Sequence, residues 1–187
     1  MRRLATGVCM AVAVAVLAVP AHAVSVGIGA FGGASFPVVQ DDNGQGSVFG
    51  VRVPVSVVPL IAIEPYFGST HGGSKDQTVA GLTFTRDGID VTSYGANLLL
   101  KFGGPLQFYP FAGMSSSHLK RTGLDETDTA YDFGLGLGIK LPLVGLSVDG
   151  RGELDAAVDK ASSDASRKWA NVTLGVTYAF AKFPPVP

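Results

Sequence analysis

The stretch Tyr131-Asp132-Phe133-Gly134-Leu135-Gly136-Leu137-Gly138-Ile139-Lys140-Leu141 changes character at every residue. Tyr131, Phe133, Leu135, Leu137, Ile139 and Leu141 occupy one phase. Asp132, Gly134, Gly136, Gly138 and Lys140 occupy the other. A period of two puts the phases on opposite faces of an extended strand, one greasy and one small or polar.

The same period runs through most of the chain. It predicts strands over about 24–36, 47–57, 60–70, 89–102, 106–119, 131–141, 144–155 and 170–180. In the second, Phe49, Val51, Val53, Val55 and Val57 oppose Gly50, Arg52 and Ser56. In the seventh, Val144, Leu146, Val148 and Leu154 oppose Ser147, Asp149, Arg151, Glu153 and Asp155. In the eighth, Ala170, Val172, Leu174, Val176, Tyr178 and Phe180 oppose Asn171, Thr173, Gly175 and Thr177. Two places break step. Ile89 and Val91 are out of phase with the rest of the fourth strand, which predicts a bulge or a rim segment there. Phe108, Tyr109 and Phe111 fall on both phases of the fifth.

The connections alternate in length. Residues 37–46, 71–88, 121–128 and 159–166 form long polar links, while Val58-Pro59, Gly103-Gly104-Pro105 and Pro142-Leu143 are short. That regularity belongs to an up-and-down barrel in an outer membrane, with short periplasmic turns and longer extracellular loops. Greek-key sandwiches have no reason to show it. Pro54, Pro65 and Pro110 fall inside predicted strands, and a closed barrel has no edge to tolerate them. Each lies within a few residues of a short turn, so they are expected at the periplasmic rim.

Composition supports a membrane setting. Mean hydropathy is +0.33, and charged residues make up 16% of the chain, below the usual share of about 25%. Beyond the N-terminus no apolar run reaches the roughly 18 residues of a spanning helix. Every backbone polar group in hydrocarbon must be paired internally, which leaves the closed barrel. The N-terminus reads as a secretory leader. Arg2 and Arg3 precede the apolar run 8–19, and Ala21-His22-Ala23 offers the small residues needed for cleavage after Ala23. The domains are then 1–23, a removed signal peptide, and 24–187, one barrel. Cleavage removes Cys9 and leaves 12 Lys+Arg against 15 Asp+Glu. No basic footprint for a nucleic-acid partner is present, and a chain without disulfides must rely on pairing and packing.

The chain resembles the small outer-membrane β-barrels of the OmpA/OmpX type across residues 24–187. The closing Thr173-Leu174-Gly175-Val176-Thr177-Tyr178-Ala179-Phe180 resembles the signal that ends such barrels. The resemblance implies recognition through Thr173, Gly175, Tyr178 and Phe180 by the barrel-assembly machinery. Many members stop on the final aromatic, whereas here Ala181 and six further residues follow. The expected address is the Gram-negative cell outer membrane, the expected partners are its lipids and lipopolysaccharide, and the expected state is a monomer.

The polar phase carries Arg52, Glu64, Lys101, Asp132, Lys140, Asp149, Arg151, Glu153 and Asp155. An eight-stranded bore is just wide enough to fill with side chains. Unpaired charge there is costly, so these residues are expected to form a mutually satisfied network, with Arg52 and Glu64 side by side across the Val58-Pro59 turn. Asp149, Glu153 and Asp155 have the chemistry of a Ca²⁺ site, but Arg151 among them is expected to neutralise the group. No catalytic, cofactor or metal residues are assigned. His118 after Ser115-Ser116-Ser117 is the one candidate for lipid A-modifying chemistry. Trp169, Tyr131 and Tyr178 read as interfacial girdle residues. The leading reading is a non-enzymatic envelope or surface-interaction barrel. The alternatives are a small pore or transporter for small or hydrophobic solutes, a lipid A-modifying enzyme, and a soluble barrel with its apolar face turned inward.

Overall fold

The structure, a computed structural model, describes residues 24–38, 44–79, 81–141, 145–158 and 167–183. The leader, the acidic Asp41-Asp42-Asn43, the short link Pro142-Leu143 with Val144, and the link 159–166 lie outside them. The strands are β1 (Val24–Pro37), β2 (Gly44–Arg52), β3 (Val55–Val58), β4 (Ile61–Gly73), β5 (Lys75–Val79), β6 (Leu82–Arg86), β7 (Asp90–Leu100), β8 (Phe102–Gly103), β9 (Leu106–Arg121), β10 (Leu124–Leu141), β11 (Leu146–Val158) and β12 (Arg167–Phe183).

Eight staves form the wall. They are β1, β2 continued by β3, β4, β7 continued by β8, β9, β10, β11 and β12, each antiparallel to its neighbours. The last stave returns to the first, pairing from Val24↔Phe183 to Pro37↔Trp169, so the cylinder closes without an edge. The register slips between Val26 and Gly27, where β12 carries the extra residue Phe180. Strands of 13 to 18 residues in β4, β9, β10, β11 and β12 exceed the 9–11 or so that cross hydrocarbon at a tilt.

The wall is apolar outside and polar inside. Phe133, Leu135, Leu137 and Ile139 face out along β10, as do Val172, Leu174, Val176 and Tyr178 along β12. Arg52, Glu64, Asn97, Asp132, Asp149, Asn171 and Thr173 are buried on the opposite phase. The soluble, apolar-in barrel has the inverse pattern and is excluded.

The prolines follow a different rule from rim placement. The wall lapses at Val53-Pro54, between β2 and β3, and Pro65 faces that lapse. Val53 N–H donates to the Pro65 carbonyl at 2.9 Å, while Pro65 has no N–H to return. Pro110 keeps its place opposite Leu135, and its other flank meets the break between β7 and β8. The chain therefore sets prolines where a neighbouring ladder is already interrupted.

Two predicted loops are hairpins. Residues 71–88 include the paired β5 and β6. Residues 121–128 are a Thr122-Gly123 turn with β9 and β10 running up to it, Gly123 having φ 78°. The polar Asp125 and Thr127 pair with Lys120 and His118, a cross-strand complementarity that hydropathy does not reveal. Ile89 and Val91 need no bulge. Val91 lies on the inward phase of β7, Ile89 just precedes the strand, and both pack with Leu119, Ala130, Ala157 and Trp169 in an apolar cap that makes this a rim segment at the long-connection end. Trp169 is 6% exposed, so it is a cap residue and not a girdle residue. Tyr131 and Tyr178 do face outward.

Candidate functional site

The bore is built by side chains that reach across it. Tyr109 and Phe111 both turn inward from β9, while Phe108 faces out. Their rings need space on β10, and the inward phase there is glycine. A Cβ on Gly136 would collide with the Tyr109 ring, and one on Gly134 with Phe111. The Leu-Gly alternation of β10 is thus a lipid face backed by room for two rings. Gly175 on β12 does the same for Arg52, whose guanidinium lies where a Cβ would be.

Toward the short turns, two arginines and two carboxylates form a closed lock. Arg151 grips Glu64 across the barrel through Nη1–Oε1 at 2.5 Å and Nη2–Oε2 at 2.9 Å. This bidentate geometry is the strong form of the pair. Arg151 Nε also donates to Asp149 Oδ2 at 2.9 Å and to the Tyr109 hydroxyl at 3.0 Å. Asp149 accepts from Tyr109 at 2.5 Å and from Arg52 Nη2. The predicted neighbours Arg52 and Glu64 approach to 3.9 Å, but each has its tighter partner on β11. Aromatic faces complete the seating, with the Arg151 guanidinium 5.2 Å from the Tyr109 ring centre and 5.3 Å from that of Phe111.

Further along the bore, Asp132, Glu153 and Asp155 bring carboxylate oxygens within 4.8 Å of one another. Tyr66 donates to Asp132 Oδ2 at 2.6 Å, Ser115 to Asp132 Oδ1 at 3.4 Å, and Asn171 Nδ2 to Asp155 Oδ2 at 2.6 Å. The acidic group anticipated around Asp149 is therefore regrouped. Asp149 and Arg151 belong to the lock, and Asp132 takes Asp149's place beside Glu153 and Asp155. Lys101 is half-buried at the short-turn end, and Lys140 is exposed.

Cavities among these side chains are small. One of about 20 Å³ lies among Phe31, Arg52, Glu64, Tyr66, Asn97, Arg151, Glu153 and Thr173. One of about 40 Å³ lies toward the short turns beside Lys101, Gln107 and Tyr109. Spaces of this size hold one or a few waters.

His118 faces outward on β9, its Nδ1 3.1 Å from Thr127 Oγ1 and its Nε2 3.5 Å from Asp125. Ser115 and Ser117 are buried on the opposite face, so the histidine and its two alternate serine neighbours are separated by the wall. Of the closing residues, Thr173 and Gly175 point inward, and Tyr178 and Phe180 outward. Sequence reasoning missed Tyr66, Tyr109, Ser115 and Asn171 as bore ligands. The glycines opposite Tyr109 and Phe111 were the available signal for the inward rings.

The outer membrane protein beta-barrel domain model matches residues 4–180. No curated protein matches. Among solved structures, the chain is similar to Neisserial surface protein A at 13% identity, covering 84% of this chain and 97% of that one with a TM-score of 0.56. It is similar to the N-terminal β-barrel domain of Pseudomonas aeruginosa OprF at 18% identity, 83% and 97% coverage and a TM-score of 0.54. A major outer membrane protein from Thermus thermophilus shares 15% identity, with 85% and 100% coverage and a TM-score of 0.51. At these identities the likeness concerns the fold.

Proposed function

The chain belongs to the outer membrane protein β-barrel family, and from that premise we propose that it is a non-catalytic, non-conducting monomeric barrel acting through the surface it presents outside the cell. One observation carries the reading: the Arg52–Glu64–Asp149–Arg151 lock spans the bore, and among the described residues the two cavities beside it, of about 20 and 40 Å³, are water-sized. A conducting path needs a bore that these side chains vacate. The extracellular end favours surface interaction. There the wall continues as the β9–β10 hairpin, and the β5–β6 hairpin presents exposed Leu82 and Phe84.

The same reading includes removal of residues 1–23 after Ala23, insertion by the assembly machinery through Thr173, Gly175, Tyr178 and Phe180, and contact with lipopolysaccharide at the outer leaflet. Planar-bilayer recording of the purified chain tests it. The expected result is conductance at background. Discrete, ion-selective openings would replace this reading with the small-pore alternative. Intact mass of the protein extracted from outer membranes tests the leader, with Val24 expected as the first residue.

A further inference from the structure

We propose that the acidic group inside the barrel is a binding site for one hard divalent cation, calcium by size, with Asp132, Glu153 and Asp155 as ligands and the Asn171 carbonyl as a fourth. The spacing fits. Calcium takes oxygen ligands at about 2.3–2.6 Å, so oxygens on one coordination sphere lie up to about 5 Å apart. The three carboxylates meet that limit at 4.8 Å. They offer only oxygen, which favours a hard cation over zinc or copper.

Charge points the same way. Asp132 and Asp155 stand directly opposite each other in the β10–β11 ladder, where like charges repel. The two arginines of the bore are engaged by Glu64 and Asp149. The hydrogen bonds given to Asp132 and Asp155 by Tyr66, Ser115 and Asn171 come from neutral groups. A buried cluster of this sign is stabilised when a cation bridges it.

A second observation is independent of the acids. Asn171 is 4% exposed, and its Oδ1 has no hydrogen-bond partner. Its amide head is held in the cluster, with Nδ2 2.6 Å from Asp155 Oδ2 and the residue paired to Glu153 in the β11–β12 ladder. A buried carbonyl without a donor costs free energy, and an amide oxygen is an ordinary calcium ligand. Asp155 Oδ1 is likewise without a partner. A cavity of about 20 Å³ borders two of the four proposed ligands, Asp132 and Asp155, on the side of Ser117 and Trp169, with room for about one water.

Trp169 is the single tryptophan of the chain, so terbium serves as the probe. The full chain, folded in lipopolysaccharide-free detergent micelles, is titrated with Tb³⁺ while exciting the indole. The expected result is saturable emission at one ion per chain, displaced by Ca²⁺, and a higher unfolding temperature in Ca²⁺ than in chelator. Glu153→Gln with Asp155→Asn is expected to abolish saturable binding while heat-modifiable gel migration persists. Asn171→Ala is expected to weaken it by at least about 10–100-fold, since it removes both the fourth ligand and the donor that orients Asp155. If the double variant does not fold, the parent chain decides by its unfolding temperature with and without chelator. No saturable emission and no calcium-dependent shift in the folded parent would overturn the site, as would undiminished binding in the folded double variant.

Discussion

Toward the periplasmic turns, two arginines face two carboxylates across the bore; toward the extracellular end, three carboxylates meet one another. The first group is assembled from staves far apart on the cylinder, with Arg52 on β2, Glu64 on β4, and Asp149 and Arg151 on β11. The second comes from the adjacent staves β10 and β11. Across a narrow bore, charges of opposite sign can be brought face to face from different strands. Side by side on one patch of wall, like charges are relieved by their neighbours' neutral donors, by taking up protons or by an added cation. The lock thus pairs its charges within the chain, whereas the acidic group is the one that the proposed cation would bridge.

Removing one member of the lock should break the comparison most severely. Arg151→Met leaves Glu64 without its bidentate partner and Asp149 with one arginine. Uncompensated buried charge costs about 3–5 kcal/mol, so urea unfolding in micelles should show a loss of that order. Adding Glu64→Gln to Arg151→Met should cost clearly less than the two single losses combined, because the residues act as one unit. A smaller loss is expected from Gly136→Leu, which drives a side chain into the Tyr109 ring. Overpacking of this kind costs about 1–3 kcal/mol, and the gel-shift temperature should fall accordingly.

The acidic group should respond with the opposite sign. In chelator, Glu153→Gln relieves like-charge repulsion and should raise stability slightly, by about 1 kcal/mol or less. In calcium the same change should lower it. A loss in both conditions would make the acids structural in the same sense as the lock. Smallest is His118→Ala on the outer face, expected to stay within about 0.5 kcal/mol and to leave the lipid A of producing cells unchanged by mass spectrometry.

The wall was legible in the sequence because its determinant is local. Leu135 and Leu137 face lipid for the same reason that Gly136 between them does not, and period two records it directly. The β5–β6 and β9–β10 hairpins were not legible as strands, since both faces of Asp125-Glu126-Thr127 are polar and alternation in hydropathy vanishes there. Trp169 misled for a related reason, and Val91 marked the rim without showing which way it faces. At the extracellular end the inward face turns apolar, so greasiness no longer means outward. The partners of the charges were hidden for a geometric reason. Phase says that Arg52 and Asp149 both point inward, but only the closure and stagger of the cylinder bring residues 97 positions apart into contact. Sequence proximity suggested Arg52 with Glu64, and the curvature of the wall supplied closer partners for both.

The central claim is that the aliphatic phase of each stave meets lipid while the other phase is sealed within a closed cylinder. Nitroxide labels placed singly along β12, at positions 171 to 177 in bilayers, test it most directly through collision with dissolved oxygen. The account predicts high accessibility at 172, 174 and 176 and low accessibility at 171, 173, 175 and 177. A flat profile, or one with the two sets exchanged, would contradict it.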